Sequence, residues 1–360
     1  MTPSRSLPFA FVLALAFAWP ALAQTAWGVA ATVSNDVVFC DVRRDSVWKL
    51  DRNGHLSTVL TGTHCRGLAV SPDGFVYGER VNAGTHMDAS SGALRDDSVG
   101  IWRVGLSGTP LWVEPPTIAP DPSIWIVIDR DGRSYGWNGA LPQTRLSQIV
   151  RHEAGSSVVV AGGRWGQRDG TGPAAQFGGV AGLALSPDGT IVVVDSGNVR
   201  RVTRSGVVTT ESVGSISNPE AGLFGQVGLW DHTIGVAIAA DGSAVVVDYP
   251  AGRVVSVARD GRATELWRST GIANWVSGGR WGWRPTGVAI LQSGYYVMED
   301  WALPSLAADL VGSPRILLVQ NGSSEVVVSI SSMFLRVATL LVIIILVSGI
   351  RGLRKRAQEA

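Results

Sequence analysis

One pattern recurs along the chain and limits its fold more than any other property. An apolar strand opens near a glycine, turns tightly at Asp-Gly, returns as a second apolar strand and ends on an acidic residue. The clearest copies are GLALSPDGTIVVVDSGNVRRVTRSGVVTT from Gly182 and GVAIAADGSAVVVDYPAGRVVSVARDGRATEL from Gly235. Others are GLAVSPDGFVYGER from Gly67, WIVIDRDGRSYGWNG from Trp125 and GVAILQSGYYVMED from Gly287, and a shorter opening copy begins at Gly28. The turn glycines at 74, 132, 189, 242 and 294 lie 58, 57, 53 and 52 residues apart, close to the length of a propeller blade. Within each copy, short apolar runs are separated by Asp-Gly, Asn-Gly or Ser-Gly, which mark hairpins.

Six such copies of four strands predict an all-β, six-bladed propeller. In the copy from Gly182 the strands, named A to D from the inside outward, are expected at 182–185, 191–194, 199–203 and 207–210. The last strand of the last copy falls at 326–330, which leaves no strand to exchange between the first and last blades. Closure must then come from side-chain packing. A linear solenoid is the rival arrangement, but it would need polar end repeats, and both terminal copies here are as apolar as the middle ones.

The ends carry targeting signals. Residues 1–23 have the layout of a signal peptide, with Arg5, an apolar run over 9–19 and Ala21-Leu22-Ala23 before Gln24. Residues 333–350 are apolar apart from Arg336 and small hydroxyl residues, long enough to span roughly 30 Å of hydrocarbon. The tail at 351–360 opens with Arg351, Arg354, Lys355 and Arg356, and short basic flanks stay cytoplasmic. The expected topology is a single-pass transmembrane helix with the propeller at 24–332 outside, periplasmic or extracellular. That stretch holds 24 basic against 28 acidic residues, a balance that argues against nucleic acid as partner. Cys40 and Cys65 are the two cysteines; in an oxidising compartment they are a candidate disulfide, with two buried thiols as the alternative.

The segment AGGRWGQRDGTGPAAQFGGVAGLALSPDGTIVVVDSGNVRRVT, residues 161–203, resembles an NHL repeat. A Gly-rich loop with D-G-T-G leads through Phe177 to strand A, the Asp-Gly turn and a V-x-D-x-G-N-x-R ending. The other five blades keep the turn and the acidic strand end but lose the loop. The resemblance implies a scaffold or ligand binder, within a superfamily that also contains lactonases of the SMP-30 and gluconolactonase type. Those lactonases hold a metal with carboxylate and carboxamide residues immediately before the strand A glycine. Here the residues before Gly28, Gly67, Gly182, Gly235 and Gly287 are Trp27, Arg66, Ala181, Ile234 and Thr286, so the set is missing. An H-E-x-x-H helix is also missing.

Function is expected on one face. The A-to-B and C-to-D turns are short and generic, whereas the D-to-A and B-to-C connections carry the irregular segments at 80–99 and 301–314 and two GGRWG loops at 162–166 and 278–282. Irregular loops on a rigid scaffold are where binding usually resides. Arg164, Trp165, Arg280 and Trp281, with Trp230 and His232 between them, are candidate ligand contacts through guanidinium and indole surfaces. The alternative, favoured here, is that the glycines form turns and the tryptophans wedge between blades. Asp41, Asp195 and Asp248 end their B strands in register, with Asn138 at the same slot and Glu79 or Glu299 within one residue of it. They are candidate cation ligands, although an Asp that caps its own B-to-C turn, paired with Arg44, Arg200 or Arg253, explains the same spacing more simply. His64 and His232 each precede a strand A glycine by three residues. Two histidines make at most half a zinc site.

These readings favour a membrane-anchored binding or scaffolding protein that needs no cofactor. A divergent metal-dependent hydrolase, centred near His64, His232 and Asp195, is the alternative. Two residues, Ser331 and Ser332, separate the last strand from the apolar segment, and D strands run toward the irregular face. That face is therefore expected to tilt toward the bilayer and to meet a protein partner in or at the membrane.

Overall fold

The computed structural model describes residues 28–329 apart from 42–43, 45, 63–64, 72, 82–85, 88–93, 96–98, 107–110, 118–123, 130, 140–145, 154–155, 218–234, 250, 270–282, 302–313 and 322. The signal peptide expected at 1–23, the span at 333–350 and the tail at 351–360 lie outside these residues. Among the described residues no helix is long and apolar enough to cross a membrane.

Six antiparallel sheets are each wound A-B-C-D in chain order. Blade 1 comprises Val29–Ala31, Val37–Asp41, Ser46–Leu50 and Leu56–Thr61. Blade 2 comprises Cys65–Val70, Val76–Val81, Val99–Val104 and Leu111–Thr117, and blade 3 Ile124–Ile128, Ser134–Gly139, Ser147–Glu153 and Ser156–Ala161. Blade 4 comprises Val180–Leu185, Ile191–Asp195, Asn198–Val202 and Val207–Ser212. Blade 5 comprises Val236–Ile238, Ala244–Asp248, Arg253–Val257 and Ala263–Arg268, and blade 6 Trp283–Leu291, Gly294–Trp301, Arg315–Gln320 and Ser323–Ser329. Two features went unpredicted: Gly170–Thr171 adds a fifth strand outside strand D of blade 4, and the B-to-C connection of blade 2 carries a small hairpin, His86–Met87 with Leu94–Arg95.

Burial follows position in the ring. The B strands Val37–Asp41, Ile191–Asp195 and Ala244–Asp248 are buried at every residue. Neighbouring blades cover both of their faces, which is why they read as continuous apolar runs rather than alternating ones. The outer strands Leu56–Thr61 and Ser156–Ala161 are mostly exposed.

Glycine serves this fold in two ways. In the Asp-Gly turns, Gly74, Gly132, Gly189 and Gly242 sit at φ of 84°, 77°, 84° and 84°, a region that costs an L side chain roughly 1–2 kcal/mol. The glycines that open strand A instead allow close approach around the axis. A Cβ on Gly235 would lie 2.6 Å from the Cα of Gly287 in the next blade, and one on Gly28 would lie 2.7 Å from Cys40 Sγ. Cys40 itself is disulfide-bonded, and the chain's one other cysteine is Cys65, at the start of strand A of blade 2.

The A strands touch in blade order and the sixth touches the first. Among the described residues no strand is exchanged at this seam: Val37, Phe39 and Leu50 of blade 1 pack against Met298, Ile316 and Val328 of blade 6. The Gln292 N–H also donates to Asn35 Oδ1 across the seam at 3.3 Å. Phe39→Ala should therefore cost about 3–5 kcal/mol in equilibrium unfolding, whereas Val33→Ala, at a residue that is 66% exposed, should stay within about 0.5 kcal/mol. Equal effects would mean that the seam does not rest on this packing.

Candidate functional site

The four acids at the B-strand ends are fully buried, and each holds an arginine. Arg44 reaches Asp41 at 2.8 Å, Arg200 reaches Asp195 at 2.7 Å, Arg253 reaches Asp248 at 2.8 Å and Arg315 reaches Glu299 at 2.6 Å. The pairing matches the expectation for Arg44, Arg200 and Arg253; Arg315 went unremarked in the sequence, although it lies opposite Glu299 in the strand register as Arg253 lies opposite Asp248. The capping expectation holds only in blade 1, where the Arg44 N–H donates to Asp41 Oδ1 at 3.3 Å. In the other three blades the acid grips the connection by which the chain enters that blade. Asp195 Oδ1 accepts the N–H groups of Gly178 and Gly179 at 2.8 and 2.7 Å. Ser217 donates to Asp248 at 3.1 Å and Ser269 donates to Glu299 at 2.6 Å.

Blade 4 shows the arrangement most fully. Arg200, 1% exposed, donates to Asp195, to Asp169 at 2.9 Å and to the Gln176 carbonyl at 2.6 Å, with its guanidinium 4.8 Å from the centre of the Phe177 ring. Asp169 in turn accepts the N–H and hydroxyl of Thr210 at 2.9 and 2.8 Å. The residues that resemble an NHL repeat thus form one clamp: the D-G-T-G acid and the final arginine meet across the entry loop and fix the added edge strand.

This arrangement bears on metal binding. Among the described residues no three His, Cys, Asp or Glu side chains come together, and the buried acids hold guanidinium groups a few ångströms away. A hard cation needs several free oxygens, so these residues do not fit one. His64 and His232 lie outside the described residues, as do Trp230, Arg280 and Trp281. Burial pushes the Glu299 carboxyl above the usual carboxylate range, against the pull of Arg315 and Ser269.

The first GGRWG loop is rigid and presents its side chains outward. Gly162 is buried at φ 96°, where a Cβ would lie 2.3 Å from the Ser147 carbonyl, and a Cβ on Gly163 would lie 2.6 Å from the Pro173 carbonyl. Backbone bonds from Gly162 to Gly172, from Ser147 to Gly163 and from Gly166 to Phe177 lock the path at 3.0, 2.9 and 3.1 Å. The glycines therefore behave as expected, but the expected wedge does not form. Trp165 is 40% exposed and Arg164 is exposed beside it. Its burial could not be read from sequence, because it depends on what packs above a loop rather than on the loop itself.

Two measurements check the clasp. Arg200→Ala should cost about 3–5 kcal/mol, because Asp195 would be left buried without its counter-charge. Arg262→Ala, in a pair whose side chains are 75% and 60% exposed, should cost at most about 1 kcal/mol. A group whose folded pKa is raised stabilises fully below its unfolded pKa and loses that contribution as pH rises through the folded value. The advantage of wild type over Glu299→Gln in urea melts should accordingly shrink from about pH 4.5 upward; a widening gap would contradict the buried placement of Glu299.

No protein-family model matches the chain, and no curated protein does. Among solved structures it is similar to regucalcin, a calcium-binding protein from Agrobacterium tumefaciens, at 13% identity over 86% of this chain and 92% of that one, with a TM-score of 0.52. It is also similar to a gluconolactonase from Xanthomonas campestris, at 14% identity over 76% and 83% with a TM-score of 0.49. A virginiamycin B lyase from Staphylococcus aureus follows at 13% identity over 84% of each chain, with a TM-score of 0.46. At such identity the likeness concerns the fold alone: the chain is a six-bladed β-propeller.

Proposed function

We propose that this protein is a membrane-tethered, extracytoplasmic binding module that engages a protein partner in or at the membrane through its D-to-A and B-to-C face. One observation carries the reading: Arg164 and Trp165 stand exposed on a loop that is otherwise locked by glycine packing and backbone hydrogen bonds. A rigid, amphipathic Trp beside an Arg is the residue pair that dominates protein interfaces. Ordering costs little there, because the backbone is already fixed. The acids beneath the same face are engaged in holding the entry connections, so binding rather than turnover is the simpler use of the surface. The sequence supports the tether through the apolar run at 333–350 and the basic residues after it.

Two tests address the two halves. Deleting 333–350 should move the protein from the carbonate-resistant membrane fraction to the soluble extracytoplasmic fraction; retention in the membrane would refute the tether. A photo-crosslinking residue at position 165 of the full-length chain in its native membrane should trap a discrete adduct that Arg164→Glu abolishes with melting temperature unchanged. If the adduct forms only from position 133, on the opposite face, the binding surface is misassigned.

A further inference from the structure

The ring encloses a channel that the irregular face does not use. A cavity of about 500 Å³ lies at the Asp-Gly end of the A strands, within the range of roughly 300–1,000 Å³ typical of ligand pockets. Residues 29–31, 68–70, 183–185, 236–238 and 288–290 line it, with Val127 and Ile128 from blade 3. Successive side chains of a strand point to opposite faces, so a wall made of three consecutive residues per strand is met edge-on. Every A strand is the terminal strand of its sheet, paired on one side only. Its second edge, with alternating N–H and C=O groups, is free toward the axis.

The wall carries no charged side chain until the rim, where Ser186, Pro187, Gly189 and Arg204 complete the lining. The Arg204 guanidinium lies against Gly189, occupying the space a side chain would take: a Cβ there would fall 2.1 Å from Arg204 Nε. The equivalent arginine in blade 5, Arg259, pairs with Asp188 at 3.4 Å. Arg204 has no ion pair among the described residues.

We infer that this channel receives a short extended peptide with small side chains, its terminal carboxylate held by Arg204 at the Asp-Gly mouth. Free strand edges recognise another extended backbone by main-chain hydrogen bonds, and their donors and acceptors repeat at the rise of such a chain, about 3.3 Å per residue. The alanines at 30, 69, 184, 237 and 289 leave room around the axis but not for bulky side chains. Arg204 is the one charged side chain in the cavity lining, and its directional guanidinium–carboxylate pairing selects an anionic end. This site lies on the face opposite Trp165, so it stands or falls independently of the proposed partner surface.

The test is titration of the purified full-length chain with N-acetyl-tetra-alanine, as the free acid and as the C-terminal amide, followed by calorimetry and by amide hydrogen exchange of the A strands. The acid should bind one to one and slow exchange in the A strands. The amide and the exposed-site variant Arg204→Gln should each weaken binding about tenfold, and the two losses should not add. No saturable binding up to roughly 10 mM, equal affinity of acid and amide, or acetate alone binding as tightly as the peptide would overturn the inference.

Discussion

A carboxylate taken out of water costs several kcal/mol unless an opposite charge and hydrogen bonds replace its hydration. In blades 1, 4, 5 and 6 an acid stands at the end of strand B with no exposed surface, and this obligation organises its surroundings. The arginine that satisfies it comes from strand C or the turn before it. In three of the four blades the remaining hydrogen bonds come from the segment that enters the blade. Strand end, neighbouring strand and incoming connection are thereby fixed to one another at the face where the chain is least regular. The loops above inherit that rigidity, which makes an exposed Trp165 a defined surface rather than a mobile one.

Much of this was legible in the sequence, because the repeat sets the register and the turns are local. The Asp-Gly hairpins, the six blades and closure by side-chain packing rather than strand exchange all follow from the spacing of glycines and apolar runs. The pairings of Asp41, Asp195 and Asp248 with the arginines that follow are also short-range. What could not be read were contacts between non-repeating segments. Ser217 lies 31 residues from Asp248 and Ser269 lies 30 from Glu299, in connections whose lengths differ from blade to blade. The strand A glycines were read for the residues before them, whereas their physical role is to let neighbouring inner strands approach.

The two faces divide the chemistry. Among the described residues, the charged groups below the surface of the irregular face are committed to each other, while Arg164 and Trp165 are exposed on it. The Asp-Gly face looks generic in sequence, yet it opens onto a channel walled by unpaired strand edges. Arg204 stands at that mouth as a cation without a partner among the described residues, a role that no local motif announces.

The central claim is that the buried acids are structural clasps rather than ligands for a metal. Thermal unfolding of the full-length chain, first with a chelator and then with added calcium or zinc, tests it most directly. The melting temperature is expected to stay constant to within about 1 °C throughout. A saturable rise, approaching the roughly 4 kcal/mol that a metal at a thousand times its dissociation constant confers, would contradict it.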